Sequence, residues 1–298
     1  MRRKPITIKD PRADYEIKIV GDRPTPLRDF YHALLKAPWW ATIAAISATF
    51  LAANAVFAAL FVEVGGVSHA APASFKDAFF FSVQTMGTIG YGAMFPDSTA
   101  ANVIVVAESL TSLLLTALAT GLVFAKFSRS TARFVFSKHV VISPLNGVPT
   151  LAFRLGNQRG NQLVDAQIRL VMIRTEQTSE GKPFYKMLDL PPTRARALSL
   201  SRSWHVLHIV DAGSPLHGET PASTVLKEIE LQVLVIGIDD ITMQTVHTTH
   251  RYFTKDILWG ARMADVLTEI DSGHLVLDLR KFHDVEPTKP TDAFPYPR

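Results

Sequence analysis

The chain has no cysteine among its 298 residues. Disulfide scaffolds, thiolate metal sites and cysteine nucleophiles are therefore excluded together. It also has no Gly-Lys-Ser/Thr motif of a P-loop, no Gly-x-Gly-x-x-Gly fingerprint and no helix with arginine at every third position. These absences argue against an ATPase, a dinucleotide-binding domain and a voltage sensor.

Two long stretches contain almost no charged residues. Residues 37–62 contain none, and a helix of about 26 residues reaches roughly 39 Å, enough to cross a bilayer with some tilt. Residues 98–127 contain only Glu108 before Lys126. We predict membrane-spanning helices over residues 38–64 and 98–127, and a buried helix of a soluble protein is the alternative for the first.

A shorter helix is predicted between these spans, over residues 75–86. Ser74 followed by Asp77 resembles a capping box, and about 12 residues give about 18 Å, too short to cross. Such a half-helix must enter the membrane and stop. The negative end of its dipole then favours a cation at the membrane centre.

A polar octet follows this helix, Thr85-Met86-Gly87-Thr88-Ile89-Gly90-Tyr91-Gly92. Its glycines permit dihedral angles closed to other residues, so that successive carbonyls can face one axis. Irregular backbone at membrane depth is tolerated only where it is buried in protein or lines water. The loop therefore predicts a backbone ion site, and a surface turn or a phosphate cradle is the alternative for the loop taken alone.

Basic residues and prolines fill the N-terminus, and we expect residues 1–26 to form an irregular cytoplasmic arm. No apolar run before residue 37 suits a secretory signal peptide, so the first span is expected to act as the insertion signal. Residues 27–37 place apolar side chains along one helical stripe, typical of a helix at the inner membrane surface, with a soluble core helix as the alternative. The distribution of Lys and Arg predicts that both termini are cytoplasmic.

Short runs that alternate between apolar and polar residues dominate the chain after residue 127. Val164, Ala166, Ile168, Leu170 and Met172 alternate with polar residues, and residues 151–155 follow the same pattern. Half-buried strands at these spacings predict an antiparallel β-sandwich over residues 131–286. Residues 287–298 are expected to be a disordered tail.

The core of the octet, Thr88-Ile89-Gly90-Tyr91-Gly92, resembles the potassium-channel signature. Residues 27–130 resemble the pore module of inward-rectifier potassium channels of the prokaryotic KirBac type, most closely in the segment Asp77-Ala78-Phe79-Phe80-Phe81-Ser82-Val83-Gln84-Thr85-Met86. Three later stretches are similar to the cytoplasmic domain of that family: residues 154–159, 209–216 and 252–260. The resemblance implies a pore domain over residues 38–130, with two spanning helices and a re-entrant pore helix, joined to an immunoglobulin-like β-sandwich.

The function implied by this resemblance is that of a homotetrameric, K⁺-selective channel in the bacterial inner membrane, not an enzyme. K⁺ is expected at the filter, residues 88–92, and chiefly at the carbonyls of Thr88, Ile89, Gly90 and Tyr91. Ba²⁺, Mg²⁺ and polyamines are expected blockers, and no other cofactor or nucleic-acid partner is expected. The alternative is a membrane-anchored sensor or binding protein with a non-conducting pore.

The resemblance also assigns roles to residues of the second span. Thr116 matches a cavity position where strongly rectifying relatives hold an acid, Gly121 a pliable glycine and Phe124 the bulky residue of the bundle-crossing gate. The chain departs from the family pattern at Gly87, at Ser112, which replaces a hinge glycine, and at Ser130, which replaces a proline. Independently of the resemblance, Glu108 is expected to be a buried brace behind the filter, with ion coordination as the alternative.

Two further sites are expected on the cytoplasmic side. The loop 237–244, with Asp239, Asp240 and Met243, matches the loop that narrows the ion path in the family, and Asp240 matches an acidic ring; a solvated turn is the alternative. A basic cluster is expected to bind anionic lipids, or else only to enforce topology. Its members are Arg28, Lys36, Lys126, Arg129, Arg133 and Lys138.

Paired histidines suggest a rival chemistry, because His205 with His208 and His247 with His250 have the spacing of candidate metal ligands. Residues three apart on a strand point to opposite faces, and no glutamate-containing zinc motif accompanies them. Surface or pH-sensing histidines are the preferred interpretation.

Overall fold

A computed structural model describes residues 6–9, 16–20, 26–128, 133–271, 274–292 and 294–296. The chain divides into two compact units, residues 21–129 and residues 1–20 together with 130–298. In the second unit, strands β1 (Ile6–Lys9) and β2 (Glu16–Ile19) pair antiparallel. The prediction of an irregular N-terminal arm is therefore wrong for these residues. Each segment alternates apolar and polar residues, a strand pattern that the surrounding prolines and basic residues concealed.

In the described part of the unit 21–129, residues 26–128, the chain is helical with one pair of very short strands. The helices Trp39–Val64 and Thr99–Phe127 are long and apolar enough, by length and composition, to cross a membrane. The elements are α1 (Pro26–Lys36), α2 (Trp39–Val64), β3 (Val67–Ser68), α3 (Phe75–Met86), β4 (Phe95–Pro96) and α4 (Thr99–Phe127).

Helix α3 is anchored against α2 by a small buried cluster. Ala58 and Phe61 of α2 pack on Ala78 and Phe81 of α3, and the two phenylalanine rings meet edge to face with their centroids 5.0 Å apart. Small residues at such contacts let helices approach closely. Strands β3 and β4 pair antiparallel, so that the chain just before α3 is joined to the chain just after the glycine-rich loop.

The larger unit is built mostly from strands. Its elements after residue 130 are β5 (Phe134–Phe136), β6 (Val140–Leu145), β7 (Val148–Asn157), β8 (Leu163–Gln177), β9 (Pro183–Asp189), β10 (Arg196–Leu200), β11 (Ser203–Ile209), α5 (Pro221–Leu226), β12 (Glu230–Asp239), β13 (Thr245–Tyr252), β14 (Ile257–Trp259), β15 (Ala261–Met263), β16 (Leu267–Asp271), β17 (His274–Leu277) and β18 (Val285–Pro287).

Two five-stranded sheets enclose the main core of this unit. One has the order β10-β8-β12-β13 with β9 paired to β8, and the other has the order β11-β7-β6-β14 with β5 paired to β7. All of these pairs are antiparallel except β14 with β6. Side chains from both sheets, among them Phe153 of β7 and Val233 of β12, share one buried cluster. The predicted antiparallel β-sandwich is confirmed.

The burial pattern of β8 departs from the predicted alternation at its first residues. Ala166, Ile168, Leu170 and Met172 are buried as expected, but Val164 is 42% exposed and Leu163 is buried in its place. Asp165 lies between Val164 and Ala166 and has a φ of 47°, in the left-handed region. An irregular residue of this kind reverses the faces to which the preceding side chains point.

Strand β7 was predicted to be half-buried, and that prediction is wrong. Residues 150–157 are buried without interruption because a second cluster, with Ala152 of β7 and Met263 of β15, covers the other face. Arg154 is only 3% exposed, and its guanidinium donates to the carbonyls of Ala264, Lys281 and Phe282. These hydrogen bonds stabilise the guanidinium, whose burial without partners would cost free energy.

The C-terminal segment was predicted to be a disordered tail from residue 287, and the described residues contradict this. Phe294 is 3% exposed within the main core, where its ring stacks on Trp259 with the centroids 6.1 Å apart. Tyr296 contacts both rings. Burial of these aromatic side chains holds the segment in place although its composition is rich in proline.

A buried histidine makes the stability of this unit depend on pH. His208 is 2% exposed, its Nδ1 lies 2.8 Å from the Pro191 carbonyl, and its Nε2 lies 2.8 Å from Ser214 Oγ. A neutral ring satisfies both contacts by donating to the carbonyl and accepting from the hydroxyl. Burial lowers the pKa of His208, with opposing contributions from the Pro191 carbonyl and Asp211.

We predict that acidification destabilises this unit partly through His208. Because the folded-state pKa lies below the unfolded value of about 6.5, the unfolded chain binds the proton more readily, and stability falls as the pH drops below that value. In thermal unfolding of the full chain from pH 8 to pH 5, the variant His208→Gln should show a shallower decline than the parent. The exposed His217→Gln is the matched control, and equal slopes for all three proteins would refute the assignment.

Candidate functional site

Helix α3 begins with a side-chain cap and carries the candidate loop at its other end. Ser74 Oγ accepts a hydrogen bond from the Asp77 amide at 3.2 Å, which satisfies one of the free donors of the first turn. A complete capping box would also require the Asp77 side chain to accept from the Ser74 amide, and Asp77 does not form this contact. Its carboxylate instead accepts from the Ala71 amide at 3.0 Å and so fixes the turn that leads into the helix.

The backbone of the candidate loop alternates in conformation. Thr88, Gly90 and Gly92 have φ values of 53°, 61° and 75°, whereas Ile89 and Tyr91 are not among the residues with positive φ. Alternation between left-handed and ordinary backbone turns successive peptide groups toward the same side, which a regular strand or helix does not do. All five residues are exposed in the single chain. The loop therefore presents main-chain groups rather than a packed side-chain surface.

The positive φ of Thr88 is a feature of this loop that the sequence did not predict. A β-branched residue with positive φ is a genuine outlier in proteins and is retained only where its surroundings impose it. The glycines at 90 and 92 were identified as positions that need unusual dihedral angles, but the same requirement at position 88 gives no signal in composition. The positive φ of Thr88 arises because the alternation of backbone conformations starts directly after α3 ends at Gly87.

A buried polar cluster joins helices α2, α3 and α4 behind this loop. Ser82 Oγ lies 2.9 Å from Asn54 Oδ1 and 2.5 Å from Glu108 Oε1, and its hydrogen serves one of these two acceptors. Asn54 Nδ2 also donates to the Phe50 carbonyl at 2.8 Å and contacts Met86 Sδ at 3.3 Å. Asn54, Ser82 and Glu108 are fully buried. Sequence reasoning selected Glu108 and missed Asn54, which is the only carboxamide in the uncharged stretch 37–62.

The inner half of α4 carries the residues matched to the cavity and the gate. Thr116, Gly121 and Phe124 are all exposed in the single chain, Phe124 by 72%. A mostly apolar cavity of about 660 Å³ lies between α2 and α4, and Thr116 is among its lining residues. A Cβ added to Gly121 would meet no atom within 4 Å.

Lys126 has a different environment from the one predicted for a lipid-binding residue. Its Nζ donates to the carbonyls of Leu34 and Ala37 at 3.1 and 2.6 Å and to Thr42 Oγ1 at 2.6 Å. The ammonium also lies 5.3 Å from the centre of the Trp39 ring. These contacts tie the end of α4 to the junction of α1 and α2, where unpaired helix carbonyls attract a cation.

For the other members of the predicted basic cluster, the structure gives only their exposure or leaves the side chain undescribed. Lys36, Arg133 and Lys138 are exposed, the first in one compact unit and the other two in the other unit. Arg129 lies outside the described residues, as does Ser130, and the side chain of Arg28 is likewise not described.

The loop after β12 owes its shape to Asp239. This residue is 3% exposed, and its carboxylate accepts from the amides of Thr242 and Ile241 at 2.9 and 3.1 Å and from Asn161 Nδ2. The Thr242 amide is the main cause that lowers the pKa of Asp239. Asp240 is exposed, while Met243 has a φ of 53° and is 75% exposed. Asp239 thus builds the turn, and Asp240 and Met243 form its exposed surface.

The paired histidines do not share a face. On β11, His205 is exposed whereas His208 is buried, as expected for residues three apart on a strand. On β13, His247 is exposed and the His250 ring stacks on Phe136 with the centroids 4.5 Å apart. In the described part of the chain, no group of three or more His, Asp or Glu side chains has the arrangement of a metal site.

Comparisons with known proteins identify both units. Residues 134–294 match the family model "Inward rectifier potassium channel C-terminal domain", and residues 40–129 match the model "Ion channel". The first match covers the β-sandwich. The second covers α2, α3, α4 and the loop with alternating backbone.

Individual relatives agree with these matches. The chain is 42% identical over 260 residues to the inward rectifier potassium channel Kirbac3.1 of Paramagnetospirillum magnetotacticum, an alignment that covers 87% of this chain and 88% of the relative. It is 32% identical to the human G protein-activated inward rectifier potassium channel 1, over 70% of this chain and 44% of that protein. The chain is therefore a membrane protein of the prokaryotic, KirBac-type branch of the inward rectifier potassium channel family.

Proposed function

We propose that this chain forms a K⁺-selective pore in which the carbonyls of residues 88–92 replace the water shell of the ion. The observation that carries the proposal is the backbone alternation at Thr88, Gly90 and Gly92, directly after the end of α3. Rings of backbone carbonyls are the chemistry by which K⁺ is selected over Na⁺. The helix dipole of α3 adds a negative potential at the same point.

A complete site requires several copies of the chain, and we propose a homotetramer. One loop supplies carbonyls to one side of an ion only, and all of its residues are exposed in the single chain. Large apolar side chains on α4, such as Leu113 and Leu118, are 68% and 70% exposed. Neighbouring copies and lipid would cover these surfaces, and four loops around one axis would complete the coordination shell.

Glu108 is proposed to brace the filter rather than to bind the permeant ion. Its side chain is fully buried and bonded to Ser82 of the pore helix, which favours a structural role. The proposed gate is Phe124 at the inner end of α4. On the cytoplasmic side, Asp240 is the acidic side chain proposed to concentrate cations, and Mg²⁺ or polyamines are proposed blockers there.

We propose a location in the bacterial inner membrane because of the similarity to Kirbac3.1 of Paramagnetospirillum magnetotacticum. The distribution of Lys and Arg supports an orientation with both termini in the cytoplasm. The exposed lysines Lys36 and Lys138, together with Arg28, Arg129 and Arg133, are proposed to attract anionic lipid headgroups, each by about 1 kcal/mol. Lys126 is proposed to act differently, because its ammonium is already held by three oxygen atoms of α1 and α2 and the segment between them. It would couple the gate to the surface helix.

Flux through liposomes tests the proposed filter. Protein reconstituted in vesicles should pass Rb⁺ but little Na⁺, and Ba²⁺ should block the Rb⁺ uptake. The variant Gly90→Ala should lose selective flux while remaining tetrameric, because alanine in the left-handed region is strained by about 1 kcal/mol or more and the carbonyls would turn away from the axis.

Gly147→Ala is the matched control for this experiment. Gly147 also has positive φ, 81°, and space for a Cβ, but it lies in the turn between β6 and β7. Its replacement should impose similar backbone strain and leave selectivity unchanged. Selective flux that persists in Gly90→Ala would disprove the filter, and a wild-type protein without flux across lipid compositions and pH would favour a non-conducting sensor.

Removal of the Lys126 ammonium should loosen the inner end of the pore domain. We predict that Lys126→Met destabilises the protein by about 2 kcal/mol, the usual magnitude for hydrogen bonds to a charged group, and alters the open fraction of the gate. Thermal unfolding in detergent and single-channel recording measure the two effects. Lys36→Met, which removes an exposed lysine from α1, is the control. A loss of stability no larger than in that control would contradict the coupling.

A further inference from the structure

The last carbonyls of a membrane helix need partners, and those of α3 are all accounted for. An α-helix leaves its final four carbonyls without partners inside the helix. In α3 the first three of these accept from amides of the loop that follows. The bonds are Gly87 N to Val83 O at 2.9 Å, Ile89 N to Gln84 O at 2.8 Å and Thr88 N to Thr85 O at 3.1 Å.

The fourth carbonyl, that of Met86, is satisfied by a side chain from another helix. Ser112 Oγ of α4 donates to Met86 O at 2.6 Å. Both residues are buried, Met86 with 3% and Ser112 with 7% exposure. A serine within a helix commonly bonds to the carbonyl one turn earlier in its own helix. Here the hydroxyl leaves its own helix and completes the cap of α3.

This bond is one of two side-chain hydrogen bonds between α3 and α4. Glu108 and Ser112 lie four residues apart on α4, and their partners Ser82 and Met86 lie four residues apart on α3. Residues at this spacing share one helix face, so the two bonds follow one seam. Asn54 of α2 contacts both Ser82 and Met86, the two residues of α3 that take part in these bonds.

Gly87, the residue after Met86, offers no side chain to hold the start of the loop. A Cβ at this position would lie 2.8 Å from the Val83 carbonyl, so a larger residue would require the helix end to shift. The orientation of the Met86–Gly87 peptide group therefore depends on the hydrogen bonds made by its own atoms. Two of these are the bond from Gly87 N to Val83 O and the bond from Ser112 to Met86 O.

We propose that Ser112 is a positioning residue for the ion filter. It fixes the peptide group from which the strained conformation of Thr88 starts, and it fastens α4 to α3 at the base of the loop. This inference rests on the proposed filter at residues 88–92. Movement of the gate at Phe124 is then confined to the part of α4 that follows Ser112, residues 113–127.

The isosteric pair Ser112→Thr and Ser112→Val tests the proposal, because only threonine keeps the hydroxyl. If the Met86–Gly87 peptide group is no longer held in place, the filter should need more bound K⁺ to keep its conformation. The K⁺ concentration that preserves half of the Rb⁺ flux should rise about fivefold in Ser112→Val, the effect of one neutral hydrogen bond, and stay near the wild-type value in Ser112→Thr. Ser109→Ala, an exposed serine of the same helix, is the control.

A spectroscopic readout separates this proposal from the proposed function. Met86 is the only one of the seven methionines that precedes a glycine, so carbonyl-¹³C methionine with ¹⁵N-glycine labels one peptide bond. Loss of the hydrogen bond should move the Met86 carbonyl signal to lower ¹³C shift in Ser112→Val and not in Ser112→Thr.

Each outcome of the two measurements has a distinct meaning. An unchanged carbonyl signal in Ser112→Val would overturn the contact itself. A changed signal with the wild-type K⁺ dependence would overturn its positioning role. Absence of Rb⁺ flux in the wild-type protein would instead count against the proposed filter, while the carbonyl signal would still decide whether Ser112 caps α3.

Discussion

Backbone carbonyls that bind an ion inside a membrane must be kept free of other partners, although the surrounding hydrocarbon offers no water to satisfy the rest of the chain. The structure meets the second requirement at the end of α3. Every terminal carbonyl of α3 has a donor, three of them from the loop itself and one from Ser112. The loop amides Gly87, Thr88 and Ile89 are thereby used, and the loop leaves α3 with its conformation fixed.

Several side-chain hydrogen bonds join different helices around this loop. Asn54, Ser82 and Glu108 join α2, α3 and α4 at one level, and Ser112 joins α4 to α3 one turn further in. At the inner end of the same unit, Lys126 ties α4 to the junction of α1 and α2. Polar contacts of this kind hold membrane helices together where no hydrophobic driving force exists between them. In the described structure, no side-chain hydrogen bond joins α4 to another helix between Ser112 and Lys126, and this stretch contains Phe124.

Hydropathy, length and turn chemistry were sufficient to predict the membrane helices, the short helix with Ser74 at its start and the antiparallel sandwich. These features depend on local composition and periodicity, which a single sequence carries. The positive φ of Thr88 was not predictable in this way, because it follows from how α3 ends. The contacts of Asn54, Ser112 and Lys126 depend on which helix faces approach one another, and Arg154 and Phe294 depend on a second layer that covers β7 and on a packed C-terminal segment. A local irregularity at Asp165 changed the face of Val164 in a strand otherwise predicted correctly.

Selection of K⁺ by the carbonyls of residues 88–92 is the central claim, and a reversal potential tests it most directly. Purified protein in a planar bilayer with KCl on one side and NaCl on the other should give a current that reverses close to the K⁺ equilibrium potential. A current that reverses near zero, as for a pore without preference between K⁺ and Na⁺, would contradict the claim.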